Sequence, residues 1–393
     1  MKLRSSRDVR AASRRASGLR ALAAACVLSA GLAYLGCSSD DSNTPLNTFD
    51  GGAEGSVIGD GGTGDGGNPT DAGPCPEGGT DEPTDLRCTG LYSDWASKTV
   101  DPNNISYAPG VILWADGADK GRWLYLPPGT KIDTSDMDQW SFPVGTKVWK
   151  EFSFSGKKIE TRYFEKTGVA TIDGGVGQWI WGTYQWSDDQ STALEVKNGV
   201  DDAGPNDYYI PSHGDCNSCH NGGKRDRLLG VEAIGLGIAG ATGETLAQLQ
   251  TENRFTTNPP STTVNIPDDT KGSVAALGYL HMNCGVTCHN DNPNALCVGS
   301  GLFMRLSATA VFANQAVNAT PTYTTAVGVP PSIFATEFPD GGWERIKSGH
   351  PEQSEIPTLD SRRGTGDQMP PLATHIPDEA GIGLVNTWIA NSP

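Results

Sequence analysis

Hydrophobic and polar positions alternate most clearly in the middle of the chain. Lys158-Ile159-Glu160-Thr161-Arg162-Tyr163 switches between charged and core-type residues at every step, the period of a strand with one buried face. Residues 147–154 predict a second strand, with Ser155-Gly156-Lys157 as the turn between the two. Residues 178–186 hold Trp179, Trp181, Tyr184 and Trp186 in another strand-like run, and 121–126 adds one more before Pro127-Pro128-Gly129. Short strands at this spacing predict a sandwich or partial barrel over 86–211. The tryptophans read as core or interface residues rather than a carbohydrate platform, because large aromatics chiefly supply burial. From Ser212 onward the pattern changes to loops and short helices. Residues 244–252 predict a helix with Leu246 and Leu249 inward. Residues 273–282 predict another, with Val274, Leu277 and His281 on one stripe. The closing helix, 378–391, turns Ile382, Val385 and Trp388 or Ile389 inward, with Asp378 as its N-cap. Pro330-Pro331 and Pro370-Pro371 mark extended connectors.

The amino end carries a different pattern. The first twenty residues hold six arginines, one lysine and one acid, and an apolar run of small residues follows to Gly36. This is the charged region and apolar core of an export signal over 1–36, too short to span a membrane comfortably. The run ends Tyr34-Leu35-Gly36-Cys37, which resembles a bacterial lipoprotein processing site with Cys37 as the acylated residue. Residues 37–85 then read as a flexible acidic linker, since the Gly/Asp run 60–67 has almost nothing to bury. The expected location is outside the cytoplasm, at the outer membrane through a lipid on Cys37, facing the periplasm or the cell surface.

The net charge of -17 over 393 residues argues against a nucleic-acid partner. Nine cysteines are too few for a disulfide scaffold in a chain this long. Cys75 and Cys88, at the edge of the folded part, are expected to pair in an oxidising compartment.

Four other cysteines carry the chemistry. Cys216, Cys219 and His220 form Cys-x-x-Cys-His, the attachment pattern of a c-type haem. In one helical turn, residues three and four apart share a face. Both sulfurs can then reach one macrocycle while the imidazole rises to its iron. Cys284, Cys288 and His289 form a second copy with one extra residue. Positions four apart still return to within roughly 40° of one direction at about 100° per residue. The competing readings are a four-cysteine zinc site, which does not need the two histidines, and a redox disulfide, which wants a βαβ context that is missing. His220 and His289 each supply one axial ligand. Met369, in Gln368-Met369-Pro370-Pro371, is the candidate second ligand for the His289 haem, since a thioether is a common partner there. For the His220 haem, Met282, His213, His281 and Met304 stand as candidates beside a vacant position, whereas His350 and His375 read as loop residues.

From about Leu91 to the end the chain resembles the exported dihaem c-type cytochromes of bacteria that carry a β-rich module first. The likeness rests on 124–131, Phe142-Pro143-Val144-Gly145-Thr146, Tyr209-Ile210-Pro211, the two motifs with Tyr279 to Asn283 before the second, 349–354 and 368–372. The resemblance implies haem c covalently attached at both sites and supports Met369 as a ligand. It implies an α+β multidomain fold: a sandwich-like β-rich domain over 86–211, then a mainly α-helical cytochrome c-like domain over 212–393. The second motif departs from the family pattern by its extra residue, and Cys297 is additional. Attachment through Cys288 alone, with Cys284 bonded to Cys297, is therefore an alternative. The expected function is one-electron transfer to an unknown redox partner. Two other classes compete: a dihaem peroxidase or oxidase with one open haem, and a non-haem, zinc-containing surface protein that binds a partner.

Overall fold

The computed structural model describes Cys75 and residues 82–168, 178–220, 226, 228–335, 338 and 341–392. All lie within Gly62–Pro393, the second of the two units into which the chain divides. The expected export signal over 1–36, Cys37 and nearly all of the expected linker lie outside the described residues.

A small antiparallel pair, β1 (Tyr92–Asp94) and β2 (Thr99–Val100), precedes the main sheet. The sheet consists of β3 (Ile105–Ala108), β4 (Asp119–Tyr125), β5 (Lys147–Phe154), β6 (Lys157–Lys166), β7 (Trp179–Trp186), β8 (Ala193–Glu195) and a short distant strand, β9 (Thr242–Gly243). Its order is β8-β7-β6-β5-β4-β3-β9, antiparallel throughout. The predicted hairpin forms where expected, and left-handed Ser155 and Gly156 make its turn.

Both faces of the sheet are covered. One carries Trp149, Tyr163, Tyr184 and Trp186, packed under Leu86, Leu91 and Trp95 of the segment that precedes the sheet. A disulfide joins Cys75 to Cys88 at the start of that segment, the pairing expected from sequence. The other face carries Leu124, Val148 and Phe164. These share one core with residues as distant as Ile234, Leu277, Val385 and Trp388. Residues on both sides of Ser212 thus build a single core.

The expected sandwich followed by a mainly α-helical cytochrome c-like domain is not what forms. Among the described residues there is one large antiparallel sheet beside the small β1–β2 pair, and a set of short helices. These are α1 (His213–Cys219), α2 (Ala233–Gly237), α3 (Leu246–Thr251), α4 (Ser273–Leu280), α5 (Ala308–Phe312), α6 (Pro321–Ala326), α7 (Glu355–Asp360) and α8 (Glu379–Asn391). Only α8 runs past two turns or so, at 13 residues. The physical reason lies in the punctuation beyond Ser212. Glycine and proline recur every few residues there, and each costs helix about 1 or 3 kcal/mol respectively. Short helices of this kind are held by packing on the sheet rather than by their own propensity. The last helix was legible: Asp378 caps it by accepting from Gly381 N, and Ile382, Val385, Trp388 and Ile389 are buried.

Candidate functional site

The first motif begins on α1. Ser212 and Asp215 cap this helix reciprocally, the Ser212 hydroxyl accepting from Asp215 N and the Asp215 carboxylate from Ser212 N, a capping box that fixes the first turn. Cys216 is buried, Cys219 half-buried, and His220 follows as the C-cap residue. His220 N donates to Cys216 O at 2.8 Å, four residues back. The His220 ring lies 4.6 Å, centroid to centroid, from Phe164 on the sheet.

The second motif follows α4 through a π-type turn, His281–Gly285. Val286 N donates to His281 O, and His289 N donates to Cys284 O at 2.8 Å, each five residues back. The widened turn absorbs the extra residue. In both motifs the histidine amide therefore ends on the carbonyl of the first cysteine. Single π-turns inside α-helices are rare and concentrate at functional positions. Gly285 is required here by close approach. A Cβ on it would stand 2.5 Å from Arg305 N. Asn290 Nδ2 donates to the Gly285 carbonyl at 2.7 Å, tying down the turn.

The two motifs meet. The thiols of Cys219 and Cys288 share a hydrogen bond, which draws Cys219 below its ordinary value and pushes Cys288 above it. Cys216 is held up by burial. Cys284 is also raised, by burial and then by the nearby Asp360 carboxylate. His289 is buried and its ring bonds to the backbone at Leu302. Its Nδ1 has no partner among the described residues, and burial draws its pKa down to about 4. A neutral imidazole with one nitrogen held and the other unused is the form a metal ligand takes.

Two cavities adjoin Cys219 and His220, and both are also lined by Leu228, Leu229, Val231 and Thr287. One continues past Val148, Phe152 and Phe164 of the sheet to Pro370 and Leu372. Its wall is apolar apart from Lys150 and Arg162 on the sheet and a few smaller groups. Met369 itself is half-buried, its amide donating to Leu359 O at 3.0 Å and its carbonyl accepting from Arg363 Nη1 at 3.0 Å. The chain thus brings the segment that follows Met369 to the His220 cavity.

The other ligand candidates are mostly occupied. His281 is fully buried; its Nδ1 accepts from Leu306 N at 3.0 Å, and its Nε2 faces Glu232 Oε1 at 3.3 Å. That leaves neither nitrogen for iron. Glu232 is held down to about 2, its burial outweighed by His281 and by backbone donors at α2. Met282 and Met304 are core residues, at 0% and 2% exposure. His213 Nε2 lies 3.3 Å from Glu195 Oε1, in a group with Glu82 whose ligand atoms all fall within 4.8 Å of one another. Lys197 already answers these carboxylates, 2.7 Å from Glu82 and 3.6 Å from Glu195. His350 pairs with Glu352, and His375 Nδ1 lies 2.6 Å from Asp207 O. Among the described residues the four motif cysteines do not converge into a tetrahedral set within 4.8 Å, as a shared zinc site would require.

The residues suit a haem: paired cysteines in a tight turn, a neutral buried histidine, and an apolar wall with two cations. Sequence reasoning missed the cations. Lys150 sits between Val148 and Phe152, two positions away on either side, so strand alternation alone already aims it at the same face as those residues.

No protein-family model, no curated protein and no solved structure matches this chain.

Proposed function

We propose that the protein is a c-type cytochrome with two covalently attached haems that transfers single electrons. The observation that carries this reading is the equivalence of the motifs. Each histidine amide donates to the carbonyl of the motif's first cysteine at 2.8 Å, although the second motif is one residue longer. Haem iron, when bound, supplies the one-electron chemistry. Cys216 and Cys219 would hold one group and Cys284 and Cys288 the other, with His220 and His289 as axial ligands. Met369 is the proposed second ligand at His289. The Cys219–Cys288 contact sets the two attachment points side by side, an arrangement suited to passing an electron from one site to the other. Export through residues 1–36 and a lipid on Cys37 belong to the same proposal, and cell fractionation tests them.

The experiment is a visible spectrum and an intact mass of the protein produced with a haem-attachment system. Colour that survives acid-acetone extraction, with a mass gain of two haems, is the expected result. A colourless protein, or one holding zinc, refutes the reading. A gain of two haems that falls to one in Cys288→Ser, and stays at two in Cys284→Ser, would assign the second attachment to Cys288 alone.

A further inference from the structure

Three neighbouring strands set cations side by side. Arg122 on β4 stands opposite Lys150 on β5, and Lys150 stands opposite Arg162 on β6. The row continues to Thr183 on β7, whose Oγ1 lies 3.8 Å from Cys216 Sγ. Like charges directly opposite in a sheet repel, and burial magnifies the penalty. Arg162 is answered by Glu160, which accepts from its Nε and Nη2. The rest of the row is not answered. Arg122 is 5% exposed and its Nη2 has no partner among the described residues. Lys150 makes no ion pair among the described residues; its ammonium lies 5.1 Å from the Phe152 ring centroid. Burial, and after it the charges of Arg122, Arg162 and Lys120, push Lys150 well below the ordinary lysine range. Burial and Arg122 bring neighbouring Lys120 down to about 8. A chain with net charge -17 has no shortage of acids to place here. A row of mutually repelling, desolvated cations is stable when an anion fills it.

We infer that Arg122, Lys150 and Arg162 form a carboxylate-binding row whose occupant is the propionate pair of the haem attached at Cys216 and Cys219. The inference rests on the haem reading above. Two observations favour a tethered occupant over a free anion. The row ends against Cys216, and the cavity that Lys150 and Arg162 line is otherwise walled by residues such as Leu113, Val148, Phe164 and Leu228. A small inorganic anion has no use for such a wall, whereas a macrocycle with two carboxylates uses both parts.

The test compares the holoprotein with Lys150→Met and Lys150→Arg, with Arg122→Met as a second variant should Lys150→Met not fold. Haem content is measured first and reduction potentials second, by spectroelectrochemistry. Both haems should remain in every variant. Lys150→Met should lower one potential and leave the other unchanged, because losing a nearby cation disfavours the reduced, more negative centre. Lys150→Arg should restore most of the shift, and Arg122→Met should move the same haem in the same direction. Wild-type potentials should not respond to added inorganic phosphate at constant ionic strength. Unchanged potentials in Lys150→Met and Arg122→Met, with two haems present, would overturn the inference and leave the haem reading intact. So would a saturable response of the wild type to phosphate, which marks an exchangeable anion. A protein without haem would remove both.

Discussion

The two faces of the main sheet are built from the same strands and treat charge in opposite ways. On the aromatic face the carboxylates among the rings are answered by neighbouring side chains. Glu151 accepts from Tyr92 and from Lys158, and Glu165 accepts from Tyr163 beside Lys147. These contacts sit among stacked rings, with Trp95 and Trp186 5.2 Å apart and nearly parallel. On the opposite face Arg122, Lys150 and Lys120 form no ion pair among the described residues, and the cavity that Lys150 lines is also lined by Cys219 and His220. Burial needs compensation on both faces. One face carries its compensation in its own sequence; the other leaves it to something bound. Unmet electrostatic demand of this kind separates a functional surface from a structural one more sharply than hydrophobicity does, since both faces are apolar.

The comparison can be broken at three levels. The largest effect belongs to the aromatic face. Trp149 is 1% exposed, packs on Tyr163 at 5.6 Å and donates to Thr89 Oγ1 at 2.9 Å. Trp149→Ala should cost about 3–5 kcal/mol by the cavity it leaves, read in urea unfolding, with haem spectra unchanged in whatever protein remains folded. A loss below about 1 kcal/mol would show that this face is not the structural one.

The middle effect lies at the boundary between the two regimes. Glu160 is fully buried and answers Arg162, and it also accepts from Tyr208 at 2.7 Å. Glu160→Gln leaves Arg162 as a further uncompensated cation, at a cost of about 3 kcal/mol. Double substitution with Lys150→Met should recover part of that loss, because it removes one member of the repelling row; strict additivity of the two would argue that the row does not act as a unit.

The smallest effect is the one with opposite signs. In a chain that cannot carry the haem at Cys216 and Cys219 (C216S/C219S), Lys120 should titrate at about 8 when folded, against 10.5 for an unperturbed lysine. The unfolded chain then binds more protons between about pH 8 and 10.5, so stability rises with pH across that window, by on the order of 1 kcal/mol after allowing for partial exposure. On the aromatic face Tyr92, Tyr163 and Tyr184 are all raised above 10, by burial and then by neighbouring groups. Above about pH 10 the folded state holds more protons at these tyrosines and stability falls. Thermal unfolding against pH should peak between the two effects. Lys120→Met should reduce the rise, leaving the share that Lys150 contributes in the same direction, and leave the fall. In the haem-loaded protein the rise should be absent, since carboxylates against the row hold Lys120 charged.

The strands of both faces were legible in the sequence because a two-residue period survives any tertiary context. The 147–154 strand forms with its expected bounds, and the expected β6 extends to Lys157–Lys166. What alternation could not say is which side meets water. Glu160 and Arg162 read as the exposed side of β6, yet Glu160 is 0% exposed; a sheet covered on both faces has no wet side, and its charges must be matched instead. The helix before the second motif was found, and of its expected inward stripe Leu277 and His281 are buried while Val274 is not. Val274 is 43% exposed, while Ala276, Leu277 and Leu280 face the core. A segment apolar nearly all round gives periodicity little to grip. The motifs themselves were legible from spacing alone. Their convergence, with Cys219 against Cys288, depends on contacts that no local pattern encodes.

The walls of the His220 cavity are delivered at very different times. Tyr107, Lys150 and Arg162 come early, but Pro370, Leu372 and Thr374 come from near the carboxyl end. They are latched by Asp116, which accepts from Thr374 Oγ1 at 2.8 Å and from His375 N at 3.0 Å, and by the Trp114 indole, which donates to Ile376 O at 2.9 Å. A chain emerging amino end first therefore presents Cys216, Cys219 and His220 while the cavity still lacks its last wall. The order of the sequence works as a schedule: a large group can be fastened through an open side, and the final segment then shuts it in.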